Sequence, residues 1–169
     1  MTANDVSAQD LAAVERQLGR RVRGVVAVAH RCPCGDPDVL KTLPRLPDGT
    51  PFPTVYYLTC PRLTSAIGTL EASGLMKEME ARLESDPDLA AHYAQAHERY
   101  LADRIELGDV PEIDGISAGG MPNRVKCLHV LAAHALAAGP GVNPLGDEVL
   151  AAVGQWWGRQ SCGASGDRP

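Results

Sequence analysis

The chain has 169 residues, of which 44% are hydrophobic and 22% charged, with a net charge of −5. That length and composition fit one domain with a core of ordinary size, and the acidic balance disfavours general nucleic-acid binding through a basic surface. No apolar run approaches the roughly 20 residues that cross a bilayer, and the first residues lack the basic and apolar regions of a signal peptide. The expectation is a cytoplasmic protein without membrane association, whose thiols stay reduced.

Ser7 with Asp10 has the spacing of a capping box, weaker for having Asp in place of Glu. The helix it opens, over 11–18, carries Leu11, Val14 and Leu18 at helical spacing and stops at Gly19. Residues 22–30 contain the β-branched run Val25 to Ala29, which reads as a buried strand. Residues 31–53 are dense in Pro, Gly and Asp and read as an ordered loop with an Asp48-Gly49 turn. A loop that long usually has a function or its own anchor.

A second strand spans 54–60. Pro61 suits the first turn of a helix reaching about residue 73, and Gly74 ends it. A further helix covers 75–84. Asp86-Pro87 opens the longest one, to about residue 107, with Leu89, Tyr93, Ala96, Tyr100 and Leu107 on its apolar face. After a loop over 108–120, Pro122 and Asn123 start a strongly apolar helix over 125–138, and a last helix covers 145–157. From Gly158 the chain is Gly, Ser and charge. The reading is a single globular domain over 1–157 and a disordered tail over 158–169. The fold class is α+β: a small sheet holding 22–30 and 54–60, covered by five or six helices.

The chemistry concentrates at cysteines. Cys32 and Cys34 lie in Cys-Pro-Cys-Gly, Cys60 in Thr-Cys-Pro-Arg and Cys127 in Lys-Cys-Leu-His. If the two strands pair, the sulfurs of all four converge at their ends and at the start of the 125–138 helix. In reduced surroundings, clustered thiols serve metal binding or catalysis better than disulfides. Thiolates suit zinc and iron–sulfur clusters. Cysteine followed by proline, at 32 and 60, is also met in iron–sulfur proteins, whereas Cys-x-Cys is not the usual zinc knuckle. The expected site is therefore Cys32, Cys34, Cys60 and Cys127 around an iron–sulfur cluster or zinc, the cluster slightly ahead. Whether three or four of them bind stays open. Cys162, in the tail, is left out.

Residues 119–127 resemble a helix start that attracts anions through free N–H groups. Arg31, Arg62, Arg124 and Lys126 are expected to balance thiolate charge or bind a phosphate-containing or other anionic small molecule, with Arg45 nearby. Cys127 would gain a lowered pKa there. His134 shares a helix face with Cys127 but stands about 10 Å along the axis, too far for one ion. His129, two residues on, would point elsewhere. His30, next to the cysteine loop, is the better candidate for local chemistry, and His92, His97 and His134 read as structural. Three other classes stay open: a metal-free thiol enzyme with Cys127 or Cys34 as nucleophile, a phosphate-ligand enzyme or sensor, and an interaction module with structural cysteines. Hydrolase elbow, zincin and dinucleotide motifs are missing.

Cys-Pro-Cys-Gly at 32–35, Pro-Arg-Leu-Pro-Asp-Gly-Thr-Pro-Phe-Pro-Thr at 44–54, Tyr-Tyr-Leu-Thr-Cys-Pro at 56–61, Gly-Gly-Met-Pro-Asn-Arg-Val-Lys-Cys-Leu-His at 119–129 and Gly-Pro-Gly-Val-Asn-Pro-Leu-Gly-Asp at 139–147 carry a resemblance over roughly residues 10–155. The chain resembles an uncharacterised bacterial family, domain of unknown function five hundred and one. The resemblance implies no assigned activity. It implies genes that often neighbour those for an exopolyphosphatase and a septum-formation protein, which is compatible with an anion site.

Overall fold

A computed structural model describes residues 6–163. Three antiparallel strands, β1 (Val25–Arg31), β2 (Pro37–Thr42) and β3 (Tyr56–Leu58), form one sheet in the order β1-β2-β3. Six helices surround it: α1 (Ala8–Leu18), α2 (Pro61–Glu71), α3 (Leu75–Ser85), α4 (Pro87–Ile105), α5 (Leu128–Ala138) and α6 (Pro144–Val153). This is the expected α+β arrangement.

The capping box at α1 forms as read: Ser7 Oγ accepts from Asp10 N–H, and the Asp10 carboxylate accepts from Ser7 N–H, both at 3.0 Å. The same carboxylate takes a bidentate bond from Arg31 at 2.7 and 2.9 Å, which ties α1 to the end of β1. The Arg31 guanidinium holds the Asp10 carboxyl well below the usual carboxylate range, against the opposing effect of burial.

The segment 31–53 is not a loop throughout. β2 lies inside it and is the central strand, buried along nearly all its length. It opens on Pro37, a position a strand tolerates because the ring lacks only a donor there. The first and last strands therefore do not pair with each other. Both run antiparallel to β2, so both finish at the same end of the sheet. That topology brings Cys32, just after β1, and Cys60, just after β3, to one place.

α5 starts at Leu128 rather than at residue 125. Gly119 and Gly120 have φ of 72° and 95°, and their carbonyls accept from Lys126 N–H at 2.7 Å and Arg124 N–H at 2.9 Å. A Cβ on Gly120 would stand 2.8 Å from the Arg124 carbonyl oxygen, so only glycine permits this closure. The chain up to Cys127 is thereby held in turns. α6 ends at Val153, and Trp156 and Trp157 pack on the core beyond it, edge to face at 4.8 Å. Val39, Val55, Leu63, Ile67, Met79, Tyr93, Tyr100, Leu128, Leu131 and Leu145 make up much of that core. No helix among the described residues is long and apolar enough to cross a membrane.

Candidate metal centre

The turn between β1 and β2 is closed by Cys32 N–H donating to Asp36 C=O at 3.0 Å and Gly35 N–H donating to Cys32 C=O at 2.8 Å. It presents the sulfurs of Cys32 and Cys34 together. The C-terminal segment returns onto this turn: Ser161 Oγ donates to the Asp36 carboxylate, and Cys162 Sγ stands 3.7 Å from Cys32 Sγ. The sulfurs of Cys32, Cys34 and Cys162 all lie within 4.8 Å of one another, an arrangement that could hold a metal ion. Cys60, fully buried at the N-cap of α2, lies beside these thiols, but its sulfur is not one of the group within 4.8 Å.

This grouping differs from the expected ligand set at three residues: it takes in Cys162 and leaves out Cys60 and Cys127. Cys162 belongs to the cluster, buried at 4% exposure, although composition assigned it to a tail. The remainder of that expected tail, from residue 164, lies outside the described residues. Cys127 does not belong to the cluster and groups instead with Glu71 and His129.

Burial pushes three of the clustered thiols up: Cys32, Cys60, and Cys162 to about 12. Cys34 moves the other way. Burial opposes its ionisation, but the backbone N–H groups of Asp36 and Cys162 and the thiols of Cys32 and Cys162 together lower its pKa. Cys34 is thus the first of the group to ionise. Such a group has the donors for a soft cation.

The second group forms where α2 meets the start of α5. Cys127 is the N-cap of α5, with extended backbone (φ −153°, ψ 111°), so the rotation of side chains around a helix does not apply between it and His129. His129 Nδ1 lies 4.0 Å from Cys127 Sγ and 3.0 Å from Glu71 Oε1, and its Nε2 lies 3.1 Å from the Thr64 carbonyl. Reading His129 as pointing away was therefore mistaken. Cys127 above all, then the Thr64 carbonyl and Glu71, raise the His129 pKa to about 9 against the effect of burial.

Three of the arginines are paired with the chain's own carboxylates. Arg31 is taken by Asp10, Arg45 by Glu112 at 2.7 Å, and Arg124 by Glu80 at 3.6 Å. Lys126 is exposed, and Arg62 lies against Gly158. Two of the N–H groups around the helix start are occupied: Leu128 N–H donates to Glu71 Oε1 at 2.8 Å and Val125 N–H to Glu80 Oε1 at 3.0 Å.

The remaining histidines are tied down. His30 Nδ1 bonds the buried Asp38 carboxylate at 2.7 Å, His97 Nδ1 the Ser117 hydroxyl at 2.9 Å, and His92 Nε2 the Gly141 carbonyl at 2.7 Å. His134 is fully buried, stacked on Tyr56 and edge-on to Tyr100, and Asn143 Nδ2 donates to its Nδ1 at 3.2 Å. Burial lowers its pKa from 6.5 to about 4, with Arg99 adding to the shift and Asp103 opposing it. The native state keeps this ring neutral while the unfolded chain protonates it below its ordinary pKa. Its contribution is therefore complete above about pH 6.5 and is lost as the pH falls toward 4, by roughly 3 kcal/mol in all. His134→Phe should flatten the denaturation free energy across that window relative to wild type. Equal slopes in the two proteins would show that His134 is not the group responsible.

No curated protein and no solved structure matches the chain. One family model does, over residues 28–151, a span that includes Cys32, Cys34, Cys60, Cys127 and His129 and stops short of Cys162. With most of its length matched, the chain belongs to the family described as protein of unknown function (DUF501).

Proposed function

We propose that the protein binds one zinc ion through Cys32, Cys34 and Cys162, with the neighbouring Cys60 as the candidate fourth ligand, and that this ion pins the C-terminal segment to the β1–β2 turn. The observation that carries the reading is the sulfur spacing. Around one tetrahedral ion with metal–sulfur bonds of about 2.3 Å, the ligand sulfurs stand about 3.8 Å apart. Cys32 and Cys162 are separated by 3.7 Å, and Cys34 is within 4.8 Å of both. A four-iron cluster places each thiolate on a different iron, and a two-iron cluster divides them between two irons, so both spread their sulfurs more widely. The spacing thus favours a single ion over the cluster that the Cys-Pro pairs suggested. Burial of Cys32, Cys60 and Cys162 favours a closed, structural site, in which no position is left for substrate.

The test is metal analysis of protein purified without chelator, followed by cobalt substitution. Zinc should be present, Cys32→Ser and Cys162→Ser should each hold one ion fewer than wild type, and cobalt should show thiolate charge-transfer absorption that both variants lose. Iron with acid-labile sulfide would replace the single ion by a cluster. Folded wild type that takes up no metal would overturn both.

A further inference from the structure

We propose that Glu71, Cys127 and His129 form a second metal site, for a zinc-class divalent ion with one coordination position open to solvent. The three side chains offer sulfur, nitrogen and oxygen donors within 4.8 Å of one another. Mixed donors of this kind, three from the protein, are the composition of zinc sites that keep a fourth position for water or substrate. Nδ1 of His129 faces both partners, at 4.0 Å from sulfur and 3.0 Å from carboxylate oxygen.

The surroundings support the same reading. A histidine that ligates metal through one ring nitrogen almost always donates the other N–H to a carbonyl or carboxylate, which fixes the ring. Here His129 Nε2 has the Thr64 carbonyl at 3.1 Å. The Glu71 carboxylate is fixed in turn by Leu128 N–H at 2.8 Å. The donors come from the end of α2 and the start of α5, two packed helices rather than a free loop. His129 and Glu71 side chains are each 25% exposed, so the site has a solvent side, unlike the closed cysteine centre. An ion there would be placed to polarise a bound water or a substrate oxygen.

The experiment uses the full chain and zinc alone. Native mass spectrometry counts ions per chain, and peptide mapping follows alkylation of Cys127 with and without zinc. Zinc should slow alkylation of Cys127, and His129→Gln should lose one ion and that protection together, while protection of Cys32 and Cys34 persists. Glu71→Gln gives a second test should His129→Gln fold poorly. Alkylation of Cys127 in folded wild type that zinc leaves unchanged would overturn the site, as would a His129→Gln protein with the wild-type ion count. Because the count and the protected peptide identify which cysteines hold which ion, failure here leaves the cysteine centre untouched, and the converse also holds.

Discussion

Replacing Cys162 with alanine is expected to lower the stability of the fold by about 3–4 kcal/mol, the contribution of an ion present at several hundred times its dissociation constant or more. For a domain of this length that corresponds to a fall in Tm of about 10 °C. The reasoning rests on where the ion would sit. Its ligands come from a turn near the start of the chain and from the last described residues, with the candidate fourth at the N-cap of α2, three segments that the unfolded chain holds far apart. Binding energy at such a site is folding energy. The remaining anchors of the C-terminal segment, the Ser161 bond to Asp36 and the packing of Trp156 and Trp157, leave a core able to fold without it. A thiol that merely packs would behave differently, its loss costing only the small cavity it leaves. A double cycle separates the cases. Strong chelator should destabilise wild type much more than Cys162→Ala, since the substitution has already removed the ion. Equal responses to chelator would reduce Cys162 to a packing residue.

The sequence made some of this legible and hid the rest for physical reasons. Local signals held wherever a few adjacent residues decide the outcome: the Ser7–Asp10 cap, Pro61 opening α2, and Asp86, whose side chain accepts from Asp88 and Leu89 N–H, opening α4. Cys32 and Cys60 could be brought together because each follows a strand. The strands do finish at one end of the sheet, although not by direct pairing, because β2 makes the two outer strands run the same way. β2 itself was obscured by Pro37 and Asp38, which read as loop residues until Asp38 is seen paired with His30. Cys162 gave no local sign, since its neighbours are small and polar and its partner lies 130 residues away. His129 was lost through a boundary three residues too early: inside a helix it would turn away from Cys127, but from an extended N-cap it does not.

Gly146→Ala is expected to cost about 3 kcal/mol or more, at the upper end of what overpacking usually costs, because the atoms in the way are main chain. A Cβ there would overlap the Leu131 carbonyl oxygen of α5 and stand 2.8 Å from both the Leu131 carbonyl carbon and the Ala135 Cβ. Neither helix can relieve this by turning a side chain, so α5 and α6 must separate. Backbone conformation is not the cause, since Gly146 lies within α6 and is not among the glycines with positive φ. The fit is fixed from one side by Asn143, whose Oδ1 accepts from Gly146 N–H at 2.9 Å while its Nδ2 reaches His134 on α5. Separation would therefore also pull on that buried pair. Gly68 supplies the control: it lies inside α2, and a Cβ there meets nothing within 4 Å. Gly68→Ala should be neutral or stabilising by up to about 1 kcal/mol through helix propensity alone. Chemical denaturation of the two variants side by side tests the contrast. If Gly146→Ala unfolds at the midpoint of Gly68→Ala, the helices are not in backbone contact. A large gap would locate the tightest joint of the fold between the helix that begins beside Cys127 and the helix that leads to Cys162.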